Sequence, residues 1–256
     1  MQRYFMYFSY DGTAYHGWQI QPGATTVQQV LQEAVGTVLR CPLELVGAGR
    51  TDAGVHAARM VAHFDLPEQM AGENPQEALR TLVARLNRFL PRDIAVDRIC
   101  PVVPEAHARF SALSRTYQYF IMRHKSPFYR QYSYCYAAPL DVEAMNRAAG
   151  MLLRHRDFTS FSKLHTDVKT NNCRVSRALW QEERPGRLVF TIEADRFLRN
   201  MVRAVVGTLL DVGRGKMAPE EIERILEAKD RCAAGNSAPA CGLFLMDVSY
   251  PPSLFL

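Results

Sequence analysis

Alternating apolar and polar residues open the chain and predict a first strand over residues 3–10, which ends at a turn signal in residues 11–12. Thr26 and Gln29 then have the spacing of a capping box at the start of a helix. The apolar residues that follow recur every three or four positions, which indicates a helix with one buried face. Pro42 ends this helix, because proline lacks the backbone N–H that a helix interior needs.

Three short apolar runs and a second helix complete the first half of the chain. Asn74 and Pro75 predict the start of that helix, with asparagine as the cap and proline at the first helical position, and Pro91 predicts its end. The strands are predicted at residues 43–46, 59–66 and 93–100. The resulting order, β-α-β-β-α-β, is that of a split βαβ unit of the ferredoxin-like type.

The second half repeats this order loosely. Its predicted elements are strands at 115–123, 175–183, 187–194 and 241–250, a helix after Asp141, and helices at 196–213 and 218–229. We therefore expect an α+β fold made of two ferredoxin-like (βαββαβ) halves, residues 1–106 and 107–256. Their strands are expected to join into one extended, mainly antiparallel sheet with helices on one face.

Composition narrows the class of protein. The 256 residues carry a net charge of +5, which suits an anionic partner. The six cysteines include no C-x-x-C pair and the seven histidines no H-E-x-x-H motif, so we expect neither a metal site nor a disulfide scaffold. The sequence has no run of about 18 apolar residues and does not open with the apolar core of a signal peptide. We therefore expect a cytoplasmic protein without a membrane span.

The stretch "GAGRTDAGVHA", residues 47–57, places a single carboxylate, Asp52, among three glycines, an arginine and a histidine. Glycines permit unusual backbone angles and close approach, so such a loop can hold one acid as a nucleophile or a base. An ordinary polar turn, in which an aspartate caps its own backbone, has the same composition. A pepsin-like site is not expected, because it needs two acids that share a proton and no second similar loop occurs.

A second candidate is Arg203, which lies among apolar residues of the helix predicted at 196–213, four residues after Arg199. An arginine so placed either extends to water or is buried and needs a carboxylate partner. The second alternative leads to the hypothesis that Arg203 pairs with Asp52 across the two halves and holds its rotamer. A third candidate is Tyr117, whose ring either packs within the sheet or stacks on an unpaired base.

Five motifs in order resemble the TruA-type tRNA pseudouridine synthase A family. They extend from about Tyr10 to Pro251 and read "YDGTAYHGWQIQPGATTVQQVLQ", "GRTDAGVHA", "SRTYQYFI", "FLRNMVR" and "CGLFLMDVSYP". The resemblance implies an isomerase that converts uridine to pseudouridine at positions 38, 39 and 40 of the anticodon stem-loop of tRNA. It also implies a homodimer whose cleft the second subunit completes, and no metal, nucleotide or redox cofactor.

The resemblance assigns roles to individual residues. Asp52 corresponds to the family's catalytic acid, which attacks C1′ of the ribose or C6 of the base, or removes the C2′ proton; these alternatives stay open. Arg203 corresponds to the arginine that pairs with this acid. Tyr117 corresponds to the base-stacking tyrosine, which is also a candidate for removing the C5 proton. Arg50 resembles the residue that enters the stem and holds the flipped nucleotide out, and Leu245 resembles an apolar residue that packs against the target base.

Basic residues in the long loops are candidates for phosphate contacts, although an ordinary solvated charge explains each of them as well. They are Arg123, His124, Lys125, Arg154, His155, Arg156, Lys163 and Lys169. The segments 163–172 and 173–178 depart from the family pattern, which affects these contacts and not the catalytic assignments.

Three other functions compete with this interpretation. A non-catalytic RNA-binding protein on two ferredoxin-like halves would leave Arg203 unexplained and lacks the RNA recognition motif's signature. A small-molecule hydrolase with a single aspartate would need a partner base or a metal. A relative that acts on another RNA, or on several tRNA positions, is compatible with every motif, because loop geometry selects the target.

Overall fold

The computed structural model describes residues 1–67, 74–163 and 170–256. These residues divide into two compact units, one formed by Met1–Leu113 and Leu245–Leu256 and the other by Ser114–Phe244. The strands are β1 (Gln2–Tyr10), β2 (Val46–Gly47), β3 (His56–Leu66), β4 (Ile94–Val102), β5 (Ser114–Met122), β6 (Tyr134–Cys135), β7 (Val175–Arg184), β8 (Arg187–Ala194) and β9 (Leu243–Ser249). The α-helices are α1 (Val27–Leu39), α2 (Pro75–Phe89), α3 (Val142–Met151), α4 (Met201–Gly213) and α5 (Glu221–Ala228).

The first unit is a sheet in which β1 lies between β3 and β4 and is antiparallel to both. β2 pairs with β3, and an ion pair of 3.1 Å links Arg59 on β3 to Asp247 on β9. Both predicted helix starts are confirmed, since Thr26 caps α1 and Asn74 caps α2 through their side-chain oxygens. Large apolar side chains from the strands and from α1 and α2 are fully buried and form the core of this unit, among them Phe5, Phe8, Phe64, Leu31 and Leu86.

The strand predicted at 43–46 is wrong for most of its length, because β2 consists of Val46 and Gly47 alone. Glutamine side chains of α1 replace the missing strand partner of Leu45. The amide of Leu45 donates to Oε1 of Gln32 at 3.0 Å, and its carbonyl accepts from Nε2 of Gln28 at 2.7 Å. Leu45 is fully buried, so these two bonds satisfy a backbone that water cannot reach.

The second unit contains the antiparallel strands β5, β8 and β7 in that order, with β6 parallel to β5. Asp141 caps α3 as predicted, and the hairpin predicted around residues 185–186 is confirmed as β7 and β8. Asn146 of α3 fixes that helix on the sheet, because its side chain donates to the carbonyl of Trp180 at 3.0 Å and accepts from the amide of Trp180 at 2.7 Å.

The helix predicted at 196–213 begins five residues late, since α4 starts at Met201. Asp195 diverts the preceding chain by accepting the amides of Arg174 and Arg196, both at 2.7 Å. Asn200 then has a positive φ of 65°, which no α-helix contains. Arg199 therefore lies outside α4, and the proposed i, i+4 spacing of Arg199 and Arg203 on one helix is wrong.

Antiparallel strands with helices packed against them confirm the α+β class. Among the residues described in 1–67, 74–163 and 170–256, no helix has the length and apolar character needed to cross a membrane.

Candidate active site

Asp52 lies in the connection between β2 and β3, and its side chain is half-buried. The carbonyl of Asp52 accepts the amide of Val55 at 3.2 Å, which closes a tight turn. Thr51 on one side and Val55 on the other are buried, whereas Arg50 is exposed. The turn therefore has fixed ends, with the carboxylate at the boundary between protein and solvent.

Residues 10–18 hold this turn from one side. The hydroxyls of Tyr10 and Thr51 form a hydrogen bond of 2.8 Å, and the carbonyl of Thr51 accepts the amide of Trp18 at 3.2 Å. The amide of Gly54 donates to the carbonyl of Tyr15 at 3.3 Å. Both neighbours of the Asp52–Ala53 pair are thus fixed to one segment, which limits the positions that the carboxylate can occupy.

Gly17 is a point of close approach between this segment and the turn. It has a φ of +87°, and a Cβ placed on it would lie 2.4 Å from the carbonyl oxygen of Thr51. Only glycine satisfies both the backbone angle and the contact. This segment carries part of the resemblance, but the motifs predicted no role for its residues; its aromatic residues, interleaved with glycines, were the available signal.

Tyr15 has a second function in the same cluster, since its hydroxyl donates to Oδ1 of Asp93 at 2.7 Å. Burial, followed by the hydrogen bond to Asp93, raises the pKa of the Tyr15 hydroxyl well above its ordinary value. The tyrosine therefore stays protonated and acts as a tether between the segment and the residue that precedes β4.

His56, the first residue of β3, is buried beside the turn. Its Nδ1 accepts the amide of Gly12 at 3.1 Å. Nδ1 also lies 3.1 Å from Oδ1 of Asp11. The histidine thus joins the loop after β1 to the strand after Asp52.

Tyr117 lies on β5 of the second unit, opposite Ile192 on β8, and is 8% exposed. Its ring meets that of Phe197 edge to face, with the centroids 5.1 Å apart and an interplanar angle of 86°. The structure thus gives Tyr117 a fixed ring orientation. Its contact with a target base stays a prediction.

Arg203 is the third residue of α4, and its side chain is half-buried. Nε donates to the carbonyl of Ala238 at 2.8 Å, and the carbonyl of Arg203 accepts the amide of Ala238 at 2.9 Å. The guanidinium is therefore oriented by the backbone of the loop before β9. The pairing of Arg203 with Asp52 stays a prediction.

The loop that carries Ala238 is itself clamped. Ser237 accepts Nδ2 of Asn200 at 2.6 Å and a terminal nitrogen of Arg231 at 3.1 Å. Gly207 of α4 permits the loop to approach, since a Cβ there would lie 1.7 Å from the carbonyl oxygen of Asn236. Sequence patterns do not reveal these contacts, because the residues that form them are separated by up to 37 positions.

The remaining predicted site residues have different surroundings. Leu245 on β9 is 2% exposed and belongs to the unit that contains Asp52. The basic loop residues Arg123, His124, Lys125, Arg154, His155, Arg156 and Lys163 are exposed or half-buried. Lys169 lies outside the described residues. In the three described ranges, His, Cys, Asp and Glu form no group of three that could hold a metal ion.

Comparisons with known proteins identify the family of this chain. A family model described as tRNA pseudouridine synthase matches residues 6–111 and 148–251. The protein named tRNA pseudouridine synthase A from Bacteroides fragilis is 54% identical to this chain, and the match covers the whole chain and 99% of the relative. The protein of the same name from Parabacteroides distasonis is 56% identical, over the whole chain and 98% of the relative. The Bacillus subtilis protein of the same name is 42% identical over 94% of this chain and 96% of its own length. The chain belongs to the tRNA pseudouridine synthase family.

Proposed function

We propose that this enzyme isomerises uridine to pseudouridine at positions 38, 39 and 40 of the anticodon stem-loop of tRNA, with Asp52 as the reacting acid and without a cofactor. The observation that supports the proposal most directly is the turn at Asp52, whose two ends are hydrogen-bonded to residues 10–18. Relatives matched over the full length of the chain are named tRNA pseudouridine synthase A, which supports the tRNA-pseudouridylation part of the proposal.

The reaction breaks the bond between N1 of the base and C1′ of the ribose and forms a bond between C5 and C1′. C5 loses its proton to solvent, and N1 gains one, so the product is an isomer of the substrate. Asp52 can attack C1′ or C6, or remove the C2′ proton, and each route needs an ionised carboxylate in a fixed position. The turn supplies the fixed position.

Arg203 is proposed to supply the positive charge beside Asp52. A guanidinium can donate two parallel hydrogen bonds to a carboxylate, which fixes its rotamer as well as its charge. The bond from Nε of Arg203 to Ala238 supports this role, because it fixes the orientation of the side chain. A preoriented charge costs no reorganisation during the reaction.

The target base must leave its stack before Asp52 can reach the sugar, at a cost of a few kcal/mol. We assign Arg50 to the space that the base vacates, since it is exposed and two residues from Asp52. Tyr117 is assigned to stacking on the flipped uracil and is the candidate for removing the C5 proton. Leu245 is assigned to apolar packing against that base.

The enzyme is further proposed to act as a homodimer in the cytoplasm, where its tRNA substrate is made. A net charge of +5 per chain doubles in a dimer and strengthens attraction to phosphates. Light scattering coupled to size-exclusion chromatography gives the mass directly, and a monomer that is fully active on tRNA would contradict this assignment.

The test of the proposed function uses tRNA transcripts that carry tritium at C5 of uracil. The protein and its Asp52→Asn variant are compared without added metal or nucleotide, and tritium release into water is followed. We expect release by the unmodified protein alone, with both proteins binding tRNA. Mapping the product then identifies the position, and pseudouridine at other positions or in another RNA would replace the stated target. Binding without release by either protein would falsify the enzymatic assignment.

A further inference from the structure

The loop between β5 and β6, residues 123–133, is a surface segment with fixed anchors. The amide of Arg123 donates to the carbonyl of Gly186 in the β7–β8 turn at 2.8 Å. At the other end, the buried hydroxyl of Ser133 donates to the carbonyl of Tyr129 at 2.7 Å, and β6 pairs with β5 directly afterwards. The loop and the turn therefore form one surface.

Guanidinium groups are stacked on aromatic rings within this surface. The Cζ of Arg184 lies 4.9 Å from the ring centroid of Tyr129. The Cζ of Arg187 lies 4.4 Å from the centroid of Phe120 and 5.7 Å from that of Tyr129. Stacking restricts the planes of both guanidinium groups, so their N–H edges have defined directions.

The surface also carries the exposed aromatic ring of Phe128 and an excess of cationic side chains. Phe128 is 84% exposed, and Lys125 and Arg130 beside it are exposed as well. Residues 123–133 and 182–187, which we call the β5–β6 patch, carry five cationic side chains and two acidic ones. They are Arg123, Lys125, Arg130, Arg184, Arg187, Glu182 and Glu183. One acid is already paired, since Glu183 lies 2.9 Å from Arg187.

We propose that the β5–β6 patch binds unpaired nucleotides of the tRNA substrate outside the stem that carries the target uridine. This proposal rests on the proposed function for the identity of its RNA. A base can stack on Phe128, while the cations contact the adjoining phosphates. The exposed ring of Phe128 suits a base, which can stack on it, better than it suits the carboxylates of an acidic peptide, which would use the cations alone.

The position of the patch separates it from the nucleotide that reacts. Arg123 follows Tyr117 by six residues along β5 and its end, which corresponds to about 20 Å of extended chain. A nucleotide held at Arg123, where the patch begins, is therefore not the one on Tyr117. The patch provides affinity for the body of the tRNA and leaves the chemistry to the site at Asp52.

The experiment compares the binding of two RNAs, a full-length tRNA transcript and its isolated anticodon stem-loop. Phe128→Ala removes the stacking surface, and Arg130→Gln removes one phosphate contact. We expect Phe128→Ala to raise the Kd for full-length tRNA about tenfold and to leave the Kd for the stem-loop unchanged. Arg130→Gln should reduce the slope of log K against log salt by about 0.7 for the full-length tRNA.

Matched controls remove the same groups elsewhere. Phe89→Ala deletes another exposed phenylalanine, and Arg224→Gln deletes a cation that is 81% exposed on α5. Neither control should change the Kd for full-length tRNA. Unchanged binding of full-length tRNA by Phe128→Ala overturns the proposal. Equal weakening of the binding of both RNAs also overturns it, because the contact would then lie on the target stem.

The failure of the proposed function has a separate readout. If the unmodified protein binds tRNA but releases no tritium from C5, the enzymatic assignment fails, while the two Kd values still decide whether the patch binds RNA.

Discussion

Arg203 and Ala238 are joined twice, since Nε of Arg203 donates to the carbonyl of Ala238 at 2.8 Å and the amide of Ala238 donates to the carbonyl of Arg203 at 2.9 Å. The first bond orients the guanidinium, and the second fixes the loop to the first turn of α4. Movement of the loop therefore moves the guanidinium of Arg203, which we propose to pair with the carboxylate of Asp52.

Arg203→Lys should abolish most of the turnover, although it preserves the positive charge. A lysine ammonium is a point charge and cannot bond to Ala238 while it presents a planar pair of donors to a carboxylate. We expect the single-turnover rate of tritium release at saturating tRNA to fall about 100-fold or more. Arg224→Lys, on the exposed face of α5, is the control for the same substitution. A wild-type rate for Arg203→Lys would remove this residue from the site.

Substitutions of Asn200 test the hydrogen bond that holds Ser237 in the same loop. The φ of Asn200, 65°, lies in the left-handed region, which glycine and asparagine adopt more readily than other residues, and its side chain bonds to Ser237. Asn200→Gly loses the bond without strain, whereas Asn200→Ala loses the bond and gains strain of about 1–2 kcal/mol. Urea unfolding should therefore rank the proteins in the order wild type, glycine variant, alanine variant. An alanine variant at least as stable as the glycine variant would show that the backbone here is unstrained.

The elements that sequence patterns predicted well are those whose signals are local. Thr26, Asn74 and Asp141 cap their helices with their own side chains, three residues from the amides that they accept. The turn at Asp52 could also be predicted from its motif, because the turn closes within four residues.

Contacts between distant residues account for what the patterns missed. Gln28 and Gln32 bind the backbone of Leu45, so a strand-like apolar run extends without a strand partner. The helix at Arg203 begins late because Asp195 accepts the amide of Arg174, which is 21 positions away, and diverts the chain before α4. Periodicity describes neighbours along the chain and carries no information about such bonds.

His63 makes stability depend on pH. It is 6% exposed, and burial, together with the nearby charges of His107 and Arg3, lowers its pKa to about 4. The unfolded chain binds a proton near pH 6.5, so the stabilisation is complete above that value and is lost as pH falls toward 4. We expect a loss of roughly 1–3 kcal/mol in the free energy of unfolding between pH 7 and pH 4.5 from this group.

The variant His63→Asn isolates this contribution, because asparagine does not titrate and its side-chain oxygen can still accept the amide of Ala108, which Nδ1 of His63 accepts at 3.2 Å. Urea unfolding at pH 7 and at pH 4.5 gives the difference for each protein. The variant should lose less stability than the wild type over this interval. Equal losses would assign the pH dependence to other groups.

Gly17→Ala should displace the turn that carries Asp52, because the added Cβ would lie 2.4 Å from the carbonyl oxygen of Thr51. Gly23 is a matched control, since its φ of +71° imposes the same type of strain and nothing lies within 4 Å of a Cβ there. Both alanine variants should lose about 1 kcal/mol to backbone strain. Only Gly17→Ala should lose a further 1–3 kcal/mol and most of its tritium release. Similar activity in the two variants would mean that the turn at Asp52 does not depend on this contact.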